Sequence, residues 1–482
     1  MIELVPVAAF WALAGWAFLS RGPMLLYVFF ALMPFGSLAV VPTAVSGGLT
    51  ITPGTALALL LAARTLGPPA GMRFALQAAL SHRRLLLLAL FLLVALLATL
   101  FMPRILAGLV EVVPVREIKY GAQPLQVTRQ NLSQFAYLTL SVLTVFAFAR
   151  LFRQPAMRQH LLAAIMLGAA IAILTGMLDL ASHFVPLEPL LAPFRTASYS
   201  ILADVEVLDQ RRVIGLTPEA SSYGGLVLGY LTALYFLAPA IESRALRRLV
   251  APLVLTLVLF AYLSTSSAAY VGLAIFAALA GLQWGLRRIR TGGAIPRPKL
   301  AVEIGLGFGG AAAAVLLILT APEVFDPVVR LFERMVLEKA SSASFEERSY
   351  WTAVSWQALI DSGGLGVGVG STRASSAPVA IFACTGLVGG LLYYAFVIQT
   401  LTRRPLPGRE AAAMMSGIRW SFPVPFLLGT MIGTSANFGD MDAMRFGLAL
   451  ALSTDALGEI RRRPATPRSP QPPLPQIAGR PA

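Results

Sequence analysis

Cationic side chains spaced to grip an anion are the first chemistry this chain offers. The segment Arg211-Arg212-Val-Ile-Gly215-Leu-Thr217-Pro218-Glu219-Ala-Ser221-Ser222-Tyr223-Gly224 sets two adjacent guanidiniums beside a glycine turn and a carboxylate. A planar guanidinium pairs bidentately with a phosphate, and a diphosphate presents two such groups. Glu219 stands at the start of an apolar helical pattern, where it either caps the first turn or pairs with an arginine. Further on, Glu346-Glu347-Arg348-Ser-Tyr350-Trp351-Thr-Ala-Val-Ser-Trp356-Gln-Ala-Leu-Ile-Asp361 reads as a helix. Ser-Gly363-Gly364-Leu-Gly366-Val-Gly368-Val-Gly370-Ser371-Thr372-Arg373 follows it. No strand precedes these glycines and no Lys-Ser/Thr pair follows them, which argues against a P-loop. They allow tight backbone turns and bring Arg348 and Arg373 to one face. Leu263-Ser264-Thr265-Ser266-Ser267 is a hydroxyl-rich turn. Its hydroxyls either bond a sugar or phosphate, or satisfy freed backbone groups at helix ends.

Other candidates are sparser. His183 lies near Asp179, while His82 and His160 sit among arginines and read as solvated. Asp440, Asp442 and Arg445 crowd one turn, where they bind a ligand or pair with each other. Asp204, Glu206 and Asp209 form a loose acidic cluster without the ligand spacing of a cation site. With a single cysteine, Cys384, neither an intrachain disulfide nor a thiolate metal cluster can form.

The elements that must position these residues are membrane spans. Of 482 residues, 57% are hydrophobic and 13% charged, about half the charge of a soluble protein. Apolar runs near bilayer length recur from residue 4 to residue 458, about thirteen of them (twelve to fourteen), including 4–20, 24–41, 301–320, 418–436 and 443–458. The expected fold is therefore an all-α polytopic helix bundle over residues 1–460. Residues 461–482 read as a disordered Pro/Arg-rich tail. Alternate connections hold 25 of the 38 Lys and Arg residues but only five acids, a net +20 against −5 on the other side. The positive-inside rule puts the arginine-rich side in the cytoplasm. The opposite face carries three large loops, about 103–132, 183–219 and 321–377. In the third, residues 326–339 read as an amphipathic helix.

In order, Arg211-Arg212…Glu219-Ala-Ser, Leu263-Ser-Thr-Ser-Ser267-Ala and Arg348…Trp351…Trp356…Asp361…Gly366-Val-Gly368-Val-Gly370 resemble the O-antigen ligase and O-antigen polymerase family. The resemblance covers roughly residues 200 to 470; the N-terminal third agrees only in hydropathy. It implies a metal-independent, cofactor-free glycosyltransferase of the GT-C type in the bacterial cytoplasmic (inner) membrane. Such an enzyme moves a glycan from undecaprenyl diphosphate to an acceptor on the periplasmic face. The acceptor is lipid A–core in ligases and the end sugar of another lipid-linked repeat in polymerases. The implied partners are these lipids, a flippase and a chain-length regulator, with no nucleic acid.

Residue by residue, Arg212 or Arg211 falls at an arginine thought to hold the diphosphate, and Arg348 at the arginine before the glycine turn. The expected roles follow from that match. Arg212 and Arg348 clamp the diphosphate, Arg211 and Arg373 assist, and Glu219 orients or deprotonates the acceptor. Ser266, Ser267 and Tyr223 contact substrate. Two departures stand out: Ser267 occupies a position where the family often has arginine, and no histidine follows the glycine turn, where Arg373 and Ser375-Ser376 stand instead. The missing histidine favours a polymerase over a ligase. The competing expectation is a transporter or flippase for lipid-linked oligosaccharide, which calls for charges deep inside spans and short loops.

Overall fold

A computed structural model describes residues 4–42, 45–46, 49–115, 121–197, 206–207, 210–290 and 343–457. Its elements in chain order are α1 Leu4–Leu19, α2 Met24–Leu32, α3 Pro53–Leu66, α4 Pro69–Ala79, α5 Leu86–Ile105, α6 Arg129–Leu151, α7 Pro155–Ser182, α8 Ala220–Leu237, α9 Arg244–Leu263, α10 Ser267–Arg290, α11 Ala343–Asp361, α12 Ala377–Thr402, α13 Arg409–Ser421, α14 Pro423–Ile432 and α15 Gly439–Ala451. Two antiparallel ribbons interrupt them: β1 Glu111–Val112 with β2 Gln123–Pro124, and β3 Glu206–Val207 with β4 Gln210–Arg211. The protein is thus a mostly helical, multi-pass membrane bundle.

Among the described residues, seven helices are long and apolar enough to cross a membrane: α5 to α10, α8 continuing to Ala240, and α12. The sequence led to about thirteen. Leu4–Leu19 and Pro53–Leu66 are apolar but shorter, and the backbone interrupts two further runs. The apolar run 24–41 leaves the helix after Leu32, and the run 418–436 is split at Phe422, where Pro423 and Pro425 open α14. Proline removes a helix donor and crowds the preceding turn. The expected span 301–320, the amphipathic helix 326–339 and the tail 461–482 lie outside the described residues.

α8 runs through the interior, packed on α7, α9, α10 and α13, while α9 and α10 keep most of their surface outward. An aromatic cluster of Phe29, Phe30, Phe148 and Phe152 fills the seam between α2 and α6; Phe148 and Phe152 stack at 5.1 Å. Arginines tie one end of the bundle together. The buried Arg403 guanidinium donates to the Arg83 and Arg84 carbonyls and pairs with Asp455 at 3.0 Å. Arg158 pairs with Glu410 at 3.6 Å, and Arg64 donates to the Ala17 carbonyl. Charge also enters the bundle itself. Arg445 on α15 is 1% exposed, pairs with Asp442 at 2.7 Å and reaches the Thr232 hydroxyl of α8.

Candidate functional site

At the loop face a cavity of about 730 Å³ opens between α10, α11, α12 and α14. Arg348, Ser349 and Thr352 of α11 line it, with Ser267, Ser375, Ser376 and Thr430. Val271, Phe345, Trp356, Val379, Met431 and Ile432 form apolar walls. The space is therefore amphipathic, and Arg348 is the charged residue in its lining.

α11 is held over the cavity by the segment that follows it. Ser355 donates to the Arg373 carbonyl at 2.8 Å and shares a hydrogen bond with the Thr372 hydroxyl, while Thr352 accepts from the Ser375 N–H at 3.0 Å. The Arg373 guanidinium lies on the Trp351 ring at 3.7 Å, a cation–π contact. The intervening glycines serve close backbone approach. Gly366, Gly368 and Gly370 all have positive φ, and a Cβ on Gly370 would collide with the Gln130 carbonyl. Gly386 breaks α12 with φ +73°, and the carbonyls just before the break accept from Val367 at 2.8 Å and Gly368 at 3.0 Å. The run is an internal fastening.

Arg212 reaches this region from the other side of the sequence. Its Nη2 donates to the Thr265 carbonyl at 3.0 Å, in the turn that leads to Ser267. That turn is unusual: Thr265 has φ +45°, its hydroxyl is buried without a hydrogen-bond partner among the described residues, and so is Arg212 Nε. Burial lowers the Arg212 pKa; Glu219 and Tyr270 raise it, and Arg348 lowers it. Arg212, Glu219 and Arg348 thus share one electrostatic environment. Among the described residues neither arginine has an acid in ion-pair contact. Glu219 starts α8 and accepts from the Ser221 hydroxyl.

Arg348 and Ser267 therefore line one cavity, and Arg212 is tied to the turn that leads to Ser267, near enough to feel the charges of Glu219 and Arg348. Ser266 is buried in the same turn. Tyr223 does not join them, which corrects the expectation that it contacts substrate. It is fully buried and donates to the Ala172 carbonyl of α7 at 2.9 Å, so its hydroxyl is used within the core. Arg373 is engaged by Trp351. The side chains of Arg211 and Glu206, and residues Asp204 and Asp209, lie outside the described residues. His183 follows the last turn of α7, and His160 accepts or donates at 3.1 Å with the Tyr27 hydroxyl on the arginine-rich side. Asp442 and Arg445 pair with each other, and Asp440 lies against Gly54 at the start of α3. Among the described residues no group of three His, Cys, Asp or Glu side chains is placed to hold a metal ion.

One pair escaped the sequence reading. Asp179, in the last turn of α7, accepts from the Ile214 and Gly215 N–H groups at 2.7 and 3.0 Å and pairs with Arg195 at 2.7 Å. An aspartate near the end of an apolar run carries no spacing signal toward a loop 35 residues away. Comparison of the chain with protein-family models, curated proteins and solved structures gives no significant match.

Proposed function

We propose that this protein is a membrane glycosyltransferase of O-antigen or exopolysaccharide polymerase or ligase kind. It would move a glycan from undecaprenyl diphosphate to a sugar acceptor on the periplasmic side of the cytoplasmic membrane. The observation that carries the reading is that Arg348 lines an amphipathic cavity while Arg212, distant in sequence, is bonded to the turn that leads into the cavity wall at Ser267, with no acid paired to either among the described residues. Two guanidiniums suit a diphosphate headgroup, and the apolar walls suit its polyprenyl chain.

Such chemistry asks little beyond placement. Lipid diphosphate is already a good leaving group, so the arginines hold it and neutralise the charge that it gains as the glycosidic bond breaks. The acceptor hydroxyl is aimed at the anomeric carbon. Glu219, acting at a distance on Arg212, serves to orient that hydroxyl, and Ser267 and Ser376 offer further donors. The net charge of +20 on the opposite face supports the orientation with these loops outside.

Deleting the protein and resolving the surface glycan by size tests the reading. Loss of long chains with a single repeat still attached identifies a polymerase. Unattached lipid-linked polymer identifies a ligase, and an unchanged ladder refutes both. A flippase for the same lipid is the second reading, favoured by the Asp442–Arg445 pair inside the bundle. It predicts repeats trapped on the cytoplasmic leaflet.

A further inference from the structure

We propose that Asp179, together with Arg195, is a positioning residue that holds the turn carrying Arg212. That Arg212 is held rests on geometry alone; that this matters to a lipid diphosphate rests on the functional reading above.

The turn is clasped on both sides of Gly215, at its N–H and at its carbonyl. Asp179 Oδ2 takes the Ile214 and Gly215 N–H groups, Oδ1 takes Arg195 Nη2, and Arg195 Nη2 also reaches the Gly215 carbonyl at 3.3 Å. Both side chains are buried, at 5% and 7% exposure, and Arg195 continues to Glu188 at 3.2 Å. Burying a carboxylate costs several kcal/mol unless its lone pairs are used, so three charge-assisted bonds spent on one turn call for an explanation. Neighbouring contacts narrow it. Gly215 has φ +56°, and a Cβ there would press on the Tyr223 ring, so the backbone has little choice of path. Arg212, two residues before Ile214, makes its described hydrogen bond only to the Thr265 carbonyl. Arg348 pushes on that guanidinium. Without an anion present, the anchor two residues on keeps Arg212 from swinging away.

The donor count makes a sharp test. An asparagine has one acceptor oxygen and one donor nitrogen. In Asp179→Asn, an oxygen kept on the turn sets the amide N–H₂ against Arg195, and the flipped amide sets it against Ile214 and Gly215. Asp179→Asn/Arg195→Gln gives that N–H₂ an acceptor and leaves the oxygen on the turn. With the full chain in lipid nanodiscs, hydrogen exchange of the 212–219 backbone should quicken about tenfold in the single variant while α9 and α12 stay unchanged. The double variant should recover most of the protection. Exchange that is unchanged, or raised throughout the bundle, overturns the proposal.

Binding of undecaprenyl diphosphate supplies a second readout. Asp179→Asn should weaken it about tenfold, yet add nothing in an Arg212→Ala background. An equal loss in both backgrounds overturns the proposal, because Asp179 would then act other than through Arg212. Local loosening of the turn with binding untouched by Arg212→Ala or Asp179→Asn upholds the anchor and refutes the diphosphate reading instead.

Discussion

Replacing Arg348 with glutamine should stabilise the ligand-free protein while disabling its site. Arg212 feels the charge of Arg348, and no acid is in ion-pair contact with either among the described residues. Like charges in a partly buried setting repel by on the order of 1 kcal/mol once solvent screening is allowed for. In a chain of this size that corresponds to a rise of about 1–2 °C in melting temperature. A diphosphate between the two arginines reverses the balance, because each then gains a charge-assisted bond. Saturating ligand at a hundred times its Kd adds about 2.7 kcal/mol to a protein that binds it only when folded. Purified wild type and Arg348→Gln, heated in nanodiscs with and without undecaprenyl diphosphate and followed by tryptophan fluorescence, separate the two effects. Wild type should start lower and climb with the lipid; the variant should start higher and climb little. A variant that melts earlier without lipid and keeps the full lipid-dependent gain would refute the reasoning.

Arg212→Lys keeps the charge but loses the planar fork, and should cut glycan transfer about 100-fold, the worth of one or two charge-assisted bonds, with folding intact; near-normal polymer length would count against the clamp. Gly370→Ala, at φ +82° and against the Gln130 carbonyl, should cost about 2–4 kcal/mol of stability, read by thermal unfolding. Normal stability in that variant would contradict the fastening role of the glycine run. Burial raises the Asp440 pKa to about 6. Its folded form therefore holds the proton more tightly than the unfolded chain does, and its charge weighs against folding fully above pH ~6 and not at all below pH ~4. Asp440→Asn should accordingly melt higher than wild type at pH 7.5 and together with it at pH 4, and a constant difference across that range would exclude the titration.

Much of this was readable beforehand, and the failures have physical causes. Arg212 and Arg348 could be singled out because they flank glycine turns in the loops of the face whose net charge is negative. The tie between Arg212 and the cavity wall depends on the 264–267 turn, where Thr265 takes a left-handed conformation that no residue type there announces. Tyr223 was drawn into the site by its neighbours in the chain, although it shares a buried helical face with Ala220, Gly224 and Val227. Helical spacing was the available warning. Hydropathy registers apolar residues and is blind to where prolines and Gly386 interrupt the backbone, so it could not show that the run 418–436 is split or that α12 is broken.

The break in α12 has a mechanical consequence. Its liberated carbonyls at Ala383 and Cys384 are taken up by the strap of backbone that ends in Arg373 and covers α11. A tilt of either half of α12 therefore drags the roof of the cavity with it. Bilayer thickness or a bound neighbour that leans on this helix can then tune the chamber from a distance, without touching a residue inside it.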